Sequence, residues 1–139
     1  MGKVVTTIKL SNLSDATLFR AGARKDKIRE TSVEALVDTG ATRLYLKRSV
    51  IRTLGLRKSG SVVSQTTNGP CRRSVYEPVK LELMKRRGTF DVVEVEDTVP
   101  NLLGQIPLEY LDFVVDPRAQ KLIANPEHRG RMMTEEFRN

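Results

Sequence analysis

Apolar and polar residues alternate along several short stretches of the chain, and this alternation predicts β-strands. Val33, Ala35 and Val37, for example, share one face of a predicted strand, while the residues between them lie on the other face. The first stretch is also rich in β-branched residues, which are typical of strands. Four stretches have these features: residues 4–10, 32–37, 79–84 and 90–95. The pattern therefore predicts a mostly β fold.

Two further parts of the chain predict β-hairpins. Residues 67–70 (Thr-Asn-Gly-Pro) join two strand-like arms, and Asn-Gly between such arms is a strong short-range hairpin signal. Pro70 has no backbone N–H, so it removes one donor just past the tip. The tip is polar, and we expect it to be weakly anchored and mobile. Residues 113–123 predict a second hairpin.

Two short stretches have helical periodicity instead. Residues 47–54 place three apolar side chains on one helical face and are followed by Gly55, which is typical of a helix C-cap. Residues 106–111 predict another helix, with Pro107 in its first turn. We therefore expect one or two short helices beside the strands.

Two segments have no clear period. Residues 12–27 are polar, and we expect a short strand at residues 16–19 followed by a loop. Residues 125–139 are also polar and are expected to be frayed. A chain of 139 residues is long enough for one domain with a core. We expect that domain at residues 1–126, followed by a polar C-terminal tail at residues 127–139.

Composition indicates an ordinary globular protein, with 39% hydrophobic and 29% charged residues. The sequence contains no apolar run of membrane-spanning length, so we expect no membrane association. The first residues do not have a signal-peptide pattern. A single cysteine, Cys71, excludes an internal disulfide and fits a reducing compartment. These features predict a cytoplasmic protein.

The net charge of +7 raises the possibility of a nucleic-acid partner. The basic residues are spread along the chain, however, and no aromatic residues form a stacking platform among them. A solvated basic surface is therefore the favoured interpretation.

Other catalytic or metal-binding arrangements have little support. Cys71 lies in an expected turn and His128, the only histidine, lies in the polar tail, so a Cys–His nucleophilic pair is disfavoured. A zinc site would have to combine these two residues with carboxylates. We expect neither a metal nor a cofactor.

The strongest candidate for chemistry is the turn after the second predicted strand. An apolar run, residues 35–37, leads directly into Asp38-Thr39-Gly40. Glycine can adopt backbone angles that other residues cannot, so this sequence favours a tight turn that presents one carboxylate. By itself, Asp-Thr-Gly is also compatible with a plain strand-ending turn.

The order of motifs along the chain resembles that of the retropepsin-like aspartic proteases, the single-domain relatives of retroviral protease. The closest resemblance is to their short prokaryotic stand-alone members, and it covers about residues 4–126. Three motifs in order carry it: Asp38-Thr39-Gly40-Ala41, Thr67-Asn68-Gly69 and Leu102-Leu103-Gly104. The first matches the family's catalytic turn, the second matches the tip of its flap, and the third matches its second motif, which lies beneath the turn. The flap is the hairpin that closes over the substrate.

The resemblance implies a single-domain, mostly β closed barrel, the acid protease fold, with one or two short helices and a flap hairpin. It implies an aspartic endopeptidase that activates water between two Asp38 carboxylates of a homodimer. The implied catalytic residues are Asp38, Thr39 and Gly40. The implied contacts to an extended peptide or protein substrate are Ala41, Thr67, Asn68 and Gly69. Leu103 and Gly104 would support the turn structurally.

The sequence also departs from the retroviral pattern. Two acidic residues commonly follow the alanine in retroviral members, and one pairs with an arginine after the second-motif glycine. This chain has Thr42, Arg43 and Gln105 at these positions, so that ion pair is absent. Two alternatives remain open at this point: a non-catalytic dimeric β-module that has kept the fold, and a basic nucleic-acid-binding domain.

Overall fold

The computed structural model describes residues 3–137 of the chain. Residues 1, 2, 138 and 139 lie outside the described part. The start of the domain expected at residues 1–126 and the end of the tail expected at residues 127–139 therefore fall outside it. No helix within residues 3–137 is long and apolar enough to cross a membrane.

The described residues form short helices and a larger number of strands. The strands are β1 (Val5–Asn12), β2 (Glu30–Val37), β3 (Leu44–Lys47), β4 (Lys58–Thr66), β5 (Gly69–Leu83), β6 (Arg86–Val95), β7 (Leu102–Leu103), β8 (Phe113–Asp116) and β9 (Lys121–Ala124). The helices are α1 (Leu13–Arg20), α2 (Arg48–Leu54), α3 (Gln105–Leu111) and a 3-10 turn (Pro126–His128). The prediction of a mostly β fold is confirmed.

Seven strands form one sheet in the order β1-β2-β7-β3-β6-β5-β4, and β1 also pairs with β5. The second pairing closes six of the strands into a ring, which is compatible with the predicted barrel, and leaves β4 outside the ring. The strand β5 has 15 residues, so its first part pairs with β4 and its last part pairs with both β6 and β1. β8 and β9 form the second predicted hairpin.

Apolar side chains from the inner faces of the strands fill the ring. Alternation along β5, for instance, buries Val79, Leu81 and Leu83 and turns the residues between them outward. Helices α2 and α3 close the ring with buried leucines and an isoleucine. The core cluster includes Ile8, Leu10, Leu44, Leu46, Leu54, Val92, Leu103 and Leu111, each at most 1% exposed. This core includes side chains of β2, β7 and β3, which lie side by side in the sheet.

The expected strand at residues 16–19 is wrong, because this segment belongs to helix α1. The Asn12 side chain caps the helix by accepting the Asp15 backbone N–H at 3.0 Å. The Asp15 side chain is buried and accepts two hydrogen bonds of 2.8 Å from the Arg29 guanidinium, which lowers its pKa to about 2. With α1, the described part of the chain has three short α-helices.

The expected fraying of the C-terminal tail is also wrong for much of its described part. Residues after β9 form the 3-10 turn Pro126–His128, and His128 is buried against Asp112 at the end of α3. The backbone N–H of Met133 donates to the same carboxylate at 3.0 Å. Contacts with Asp112 therefore join part of the predicted tail to the sheet domain.

Candidate active site

Asp38 lies directly after β2, next to the neighbouring strand β7. β2 runs parallel to β7, with Val37 opposite Leu103. The backbone N–H of Asp38 donates to the carbonyl oxygen of Leu103 at 3.0 Å. Since Leu103 is fully buried, this bond ties the position of Asp38 to the core.

The residues after Asp38 form a tight turn around its carboxylate. The Gly40 backbone N–H donates to Asp38 Oδ1 at 2.9 Å, and the Ala41 N–H donates to the Asp38 carbonyl oxygen at 3.1 Å. A Cβ at position 40 would lie 3.3 Å from Oδ1, so a larger residue would crowd the carboxylate. Thr39 and Gly40 are exposed and Asp38 is half-buried. The turn therefore presents the carboxylate at the surface of the chain.

The second motif holds this turn from beneath through the backbone. Gly104 fits because a Cβ there would lie 2.4 Å from the Arg43 carbonyl oxygen. Three consecutive N–H groups at the start of α3 donate to three consecutive carbonyl oxygens of the turn: Gly104 to Arg43 at 3.0 Å, Gln105 to Ala41 at 2.8 Å and Ile106 to Thr42 at 2.9 Å. At these positions, where the retroviral ion pair is absent, backbone hydrogen bonds join the two motifs.

Asn101 is a supporting residue that sequence reasoning missed. Its buried side chain accepts the Lys47 N–H at 2.8 Å and donates to the Glu34 carbonyl oxygen at 3.0 Å. Its own carbonyl oxygen accepts the Leu36 N–H at 2.8 Å. Asn101 thus fastens β2 and β3 together just before β7. Its position immediately before the Leu-Leu-Gly motif was the one available signal.

The hairpin of β4 and the first part of β5, here called the flap hairpin, overhangs the turn. Thr66 pairs with Gly69, so Thr67 and Asn68 form a two-residue loop at its tip. The Thr66 hydroxyl donates to the Gly69 carbonyl oxygen at 2.7 Å and accepts the Asn68 N–H at 3.2 Å. Gly69 has φ 99°, a left-handed conformation that favours glycine. The hairpin forms where it was predicted.

A cleft of about 830 Å3 separates the flap hairpin from the turn that follows Asp38. Of the predicted site residues, the structure brings Asp38, Gly40, Ala41 and Thr67 together around it. Thr39, Asn68 and Gly69 do not line it in the single chain, while Leu103 and Gly104 lie beneath the turn. The apolar lining residues are Tyr45, Val62, Val63, Val95, Val99 and Leu102. Such a cleft can hold an extended chain beside a carboxylate.

Two arginines, Arg43 and Arg73, also line the cleft. Arg73 donates to Glu96 at 2.8 Å. This hydrogen bond raises the pKa of Arg73 and lowers the pKa of Glu96, so both groups stay charged and compensate one another. Within residues 3–137, no carboxylate forms an ion pair with Arg43.

Cys71 and His128 do not contribute to this cleft. Cys71 lies in β5 opposite Ser64, not in a turn, and is half-buried. The ring nitrogens of His128 contact Asp112 and Glu135, which leaves neither for Cys71. In the described part of the chain, no group of three or more His, Cys, Asp or Glu residues is placed to hold a metal ion.

Comparison with known proteins points to the same region. A family model described as aspartyl protease matches residues 26–105, which is more than half of the chain and includes both motifs. The chain is also similar to a solved structure of EIAV protease complexed with the inhibitor HBY-793. The two share 17% sequence identity with a TM-score of 0.58, over 78% of this chain and 86% of the viral one. The comparison with curated proteins finds no match.

Proposed function

The chain belongs to the aspartyl protease family and has a retropepsin-like fold, and on this basis we propose that it is an aspartic endopeptidase with Asp38 as its catalytic acid. One observation carries the proposal. Asp38 is fixed to the core through Leu103 and opens into the cleft beneath the flap hairpin.

Peptide hydrolysis requires a base that activates water and an acid that protonates the carbonyl oxygen. Two adjacent carboxylates repel each other as anions and therefore share one proton over a wide pH range. The deprotonated member takes a proton from water as the water attacks the peptide carbonyl carbon. The protonated member donates its proton to the carbonyl oxygen. This mechanism requires neither a metal nor a covalent intermediate.

One chain supplies half of such a pair. Its sequence has a single Asp-Thr-Gly, and Asp97-Thr98-Val99 lacks the glycine. We therefore propose a two-fold homodimer in which Asp38 of each copy lies at the axis, since two-fold dimers are the commonest oligomers. The exposure of Thr39 and Gly40 in the single chain supports this arrangement. Thr39 would hydrogen-bond across the axis, and Gly40 would let the two turns approach.

The proposed substrate is an extended peptide or protein segment lying between the turns and the flap hairpins. Ala41 and the apolar residues of the cleft would contact its side chains. Thr67, Asn68 and Gly69 would close over it from the flap tip and keep bulk water from the reacting peptide. The tip is fastened mainly by its own hydrogen bonds, so it can move without disturbing the core.

The proposed setting is the cytoplasm of a prokaryote. The single cysteine fits a reducing compartment, and the motifs resemble the prokaryotic stand-alone members of the family. The proposed protease domain comprises residues 1–126.

The test is an Asp38→Asn variant assayed against a diverse peptide library. An amide cannot act as a base, so we expect loss of cleavage with an unchanged circular dichroism spectrum and oligomeric state. Asp97→Asn is the matched control, because Asp97 lies outside the cleft lining and accepts the Ser49 N–H at 2.9 Å, a role that an amide oxygen can keep. Wild-type protein that cleaves no peptide would favour the non-catalytic β-module instead.

A further inference from the structure

We propose that Arg43 selects substrates that carry a carboxylate side chain near the scissile bond. The inference rests on the proposed protease function and deepens it, because it names a substrate class for the same cleft. Arg43 lines that cleft together with Asp38. Within residues 3–137, no carboxylate lies within ion-pair distance of its guanidinium.

The backbone of Arg43 is held in a fixed place relative to Asp38. Its carbonyl oxygen accepts the Gly104 N–H at 3.0 Å, and Asp38 is bonded to Leu103, the residue before Gly104. The next residue, Leu44, is 1% exposed and pairs with Leu103 and with Val92. The Arg43 side chain therefore starts from a rigid point beside the catalytic turn.

The charges around the cleft leave Arg43 uncompensated. Arg73, the other arginine of the cleft, is paired with Glu96 at 2.8 Å. Arg43 also borders a neighbouring cavity that includes Asp91, and it forms no ion pair with that residue. Most of the other lining residues are apolar or neutral. A substrate carboxylate entering near Arg43 would therefore meet a cation that forms no ion pair, although the Asp38 carboxylate lines the same cleft.

Guanidinium chemistry suits this role. Arginine presents a planar fork of N–H donors that matches a carboxylate with two parallel hydrogen bonds. Arg43 is half-buried. Less water surrounds it than surrounds an exposed arginine, so the lower dielectric constant strengthens its attraction to a substrate carboxylate. The net charge of +7 adds a long-range attraction for acidic segments.

The proposed two-fold symmetry sharpens the inference. A second copy of the chain would bring a second Arg43 to the opposite half of the cleft. A peptide that runs across the axis would then meet one arginine on each side of its scissile bond. We therefore expect the preference for a carboxylate at two equivalent substrate positions, one on each side.

The test measures binding, so that it does not depend on turnover. Statine-containing peptides are prepared as pairs that differ by Glu or Gln at one position, and the position is scanned through the peptide. Their dissociation constants are measured by fluorescence anisotropy on wild type, Arg43→Gln and Arg43→Glu. Arg52→Gln is the matched control, because Arg52 is an exposed arginine on α2 outside the cleft lining and its loss changes the net charge equally.

We expect the Glu peptide to bind about three- to tenfold more tightly than the Gln peptide at the sensitive positions in low salt. The ratio should shrink as salt is added, disappear in Arg43→Gln, fall below one in Arg43→Glu and persist in Arg52→Gln. Equal binding by wild type, or a ratio that survives in Arg43→Gln, overturns the inference. The inference is also overturned if Arg43→Gln weakens the dimer but leaves the Glu-to-Gln binding ratio unchanged, since Arg43 would then stabilise the dimer interface.

The same measurements separate this inference from the proposed function. A Glu preference that depends on Arg43, in a protein that cleaves none of the matching peptides, upholds carboxylate binding by Arg43 and contradicts the proposed protease function. Cleavage that depends on Asp38, without a preference for Glu peptides, upholds the proposed protease function and contradicts the role of Arg43. A protein that binds neither peptide of any pair contradicts both.

Discussion

The Gly104 backbone N–H donates to the Arg43 carbonyl oxygen at 3.0 Å, and a Cβ at position 104 would lie 2.4 Å from that oxygen. The same Cβ would lie 2.8 Å from the carbonyl oxygen of Ala41. Both obstructing atoms belong to the backbone of the turn that follows Asp38, so a side-chain rotation cannot relieve the contact. The glycine of the second motif is therefore required by the close approach of α3 to the turn.

Gly104→Ala should destabilise the protein and displace the turn. We expect the free energy of unfolding to fall by about 2–3 kcal/mol, as for overpacked core sites, and cleavage to fall with it. Urea denaturation measures the first effect. Gly60→Ala is the control, because a Cβ there meets nothing within 4 Å. Equal stability of the two variants would show that the backbone contact does not constrain residue 104.

Shortening the flap hairpin should impair cleavage more than stability. Replacing residues 65–70 by Asn-Gly keeps the pairing of Ser64 with Cys71 and supplies a two-residue turn. The removed residues are exposed or half-buried and lie outside the core, so we expect a small change in the urea midpoint. Loss of the closing tip should lower kcat/KM by about tenfold or more. Unchanged kinetics would make this hairpin an ordinary surface turn.

The C-terminal segment should contribute stability that depends on pH. His128 contacts Asp112 at the end of α3 and Glu135 in the tail, and these contacts raise the pKa of His128 above its ordinary 6.5. Burial raises the pKa of Asp112, but hydrogen bonds from His128, the Met133 N–H and Asn125 outweigh it and hold this pKa below 3.8. Arg86 bonds to the carbonyl oxygens of Asp112 and Gly130 nearby.

The directions of these two pKa shifts define the pH range in which the His128–Asp112 contact stabilises the folded state. The stabilisation that protonated His128 gives the folded state is fully present below pH 6.5 and is lost as the pH rises through the folded-state pKa of His128. The contribution of Asp112 is present above 3.8 and is lost as the pH falls through its folded pKa. His128→Gln should therefore reduce the free energy of unfolding more at about pH 5.5 than at about pH 9.

Urea denaturation of His128→Gln and wild type at both pH values measures this difference. The substitution removes the same packing at both pH values. The difference between the two losses of stability therefore measures the contribution of the His128 charge. Glu127→Gln, an exposed neighbour, serves as the control and should show no such dependence. An equal loss of stability at both pH values would contradict the charged His128–Asp112 pair.

Most of the fold could be predicted from the sequence because its elements follow strong local rules. The alternation in β5 and the helical face of α2, which ends at Gly55 with φ 62°, both appear where the pattern indicated. Helix α1 was missed because its face is only weakly apolar. Its stability depends on Asn12 as a cap and on Arg29, 14 residues after Asp15, and neither contact has a periodic signal.

The candidate site divides in the same way. The Asp38 turn could be predicted because a tight turn favours particular residue types, and the Gly104 motif because the order of motifs resembles that of the retropepsin-like proteases. Asn101 and the contacts of His128 could not, since each joins segments far apart in the sequence: Asn101 bonds to Glu34 and Lys47, and His128 reaches Asp112. Long-range polar contacts of single residues leave no pattern that a sequence alone displays.

The most direct test of the account is a mixing experiment on the shared site. Wild-type protein at fixed concentration is equilibrated with increasing amounts of Asp38→Asn, and the cleavage of a responsive peptide is measured with substrate in excess. If each active site needs Asp38 from two copies, random pairing with a threefold excess of the variant should leave about one quarter of the activity. Albumin at equal mass should leave it unchanged. Undiminished activity at every ratio, in a sample whose two proteins have exchanged subunits, would contradict the account.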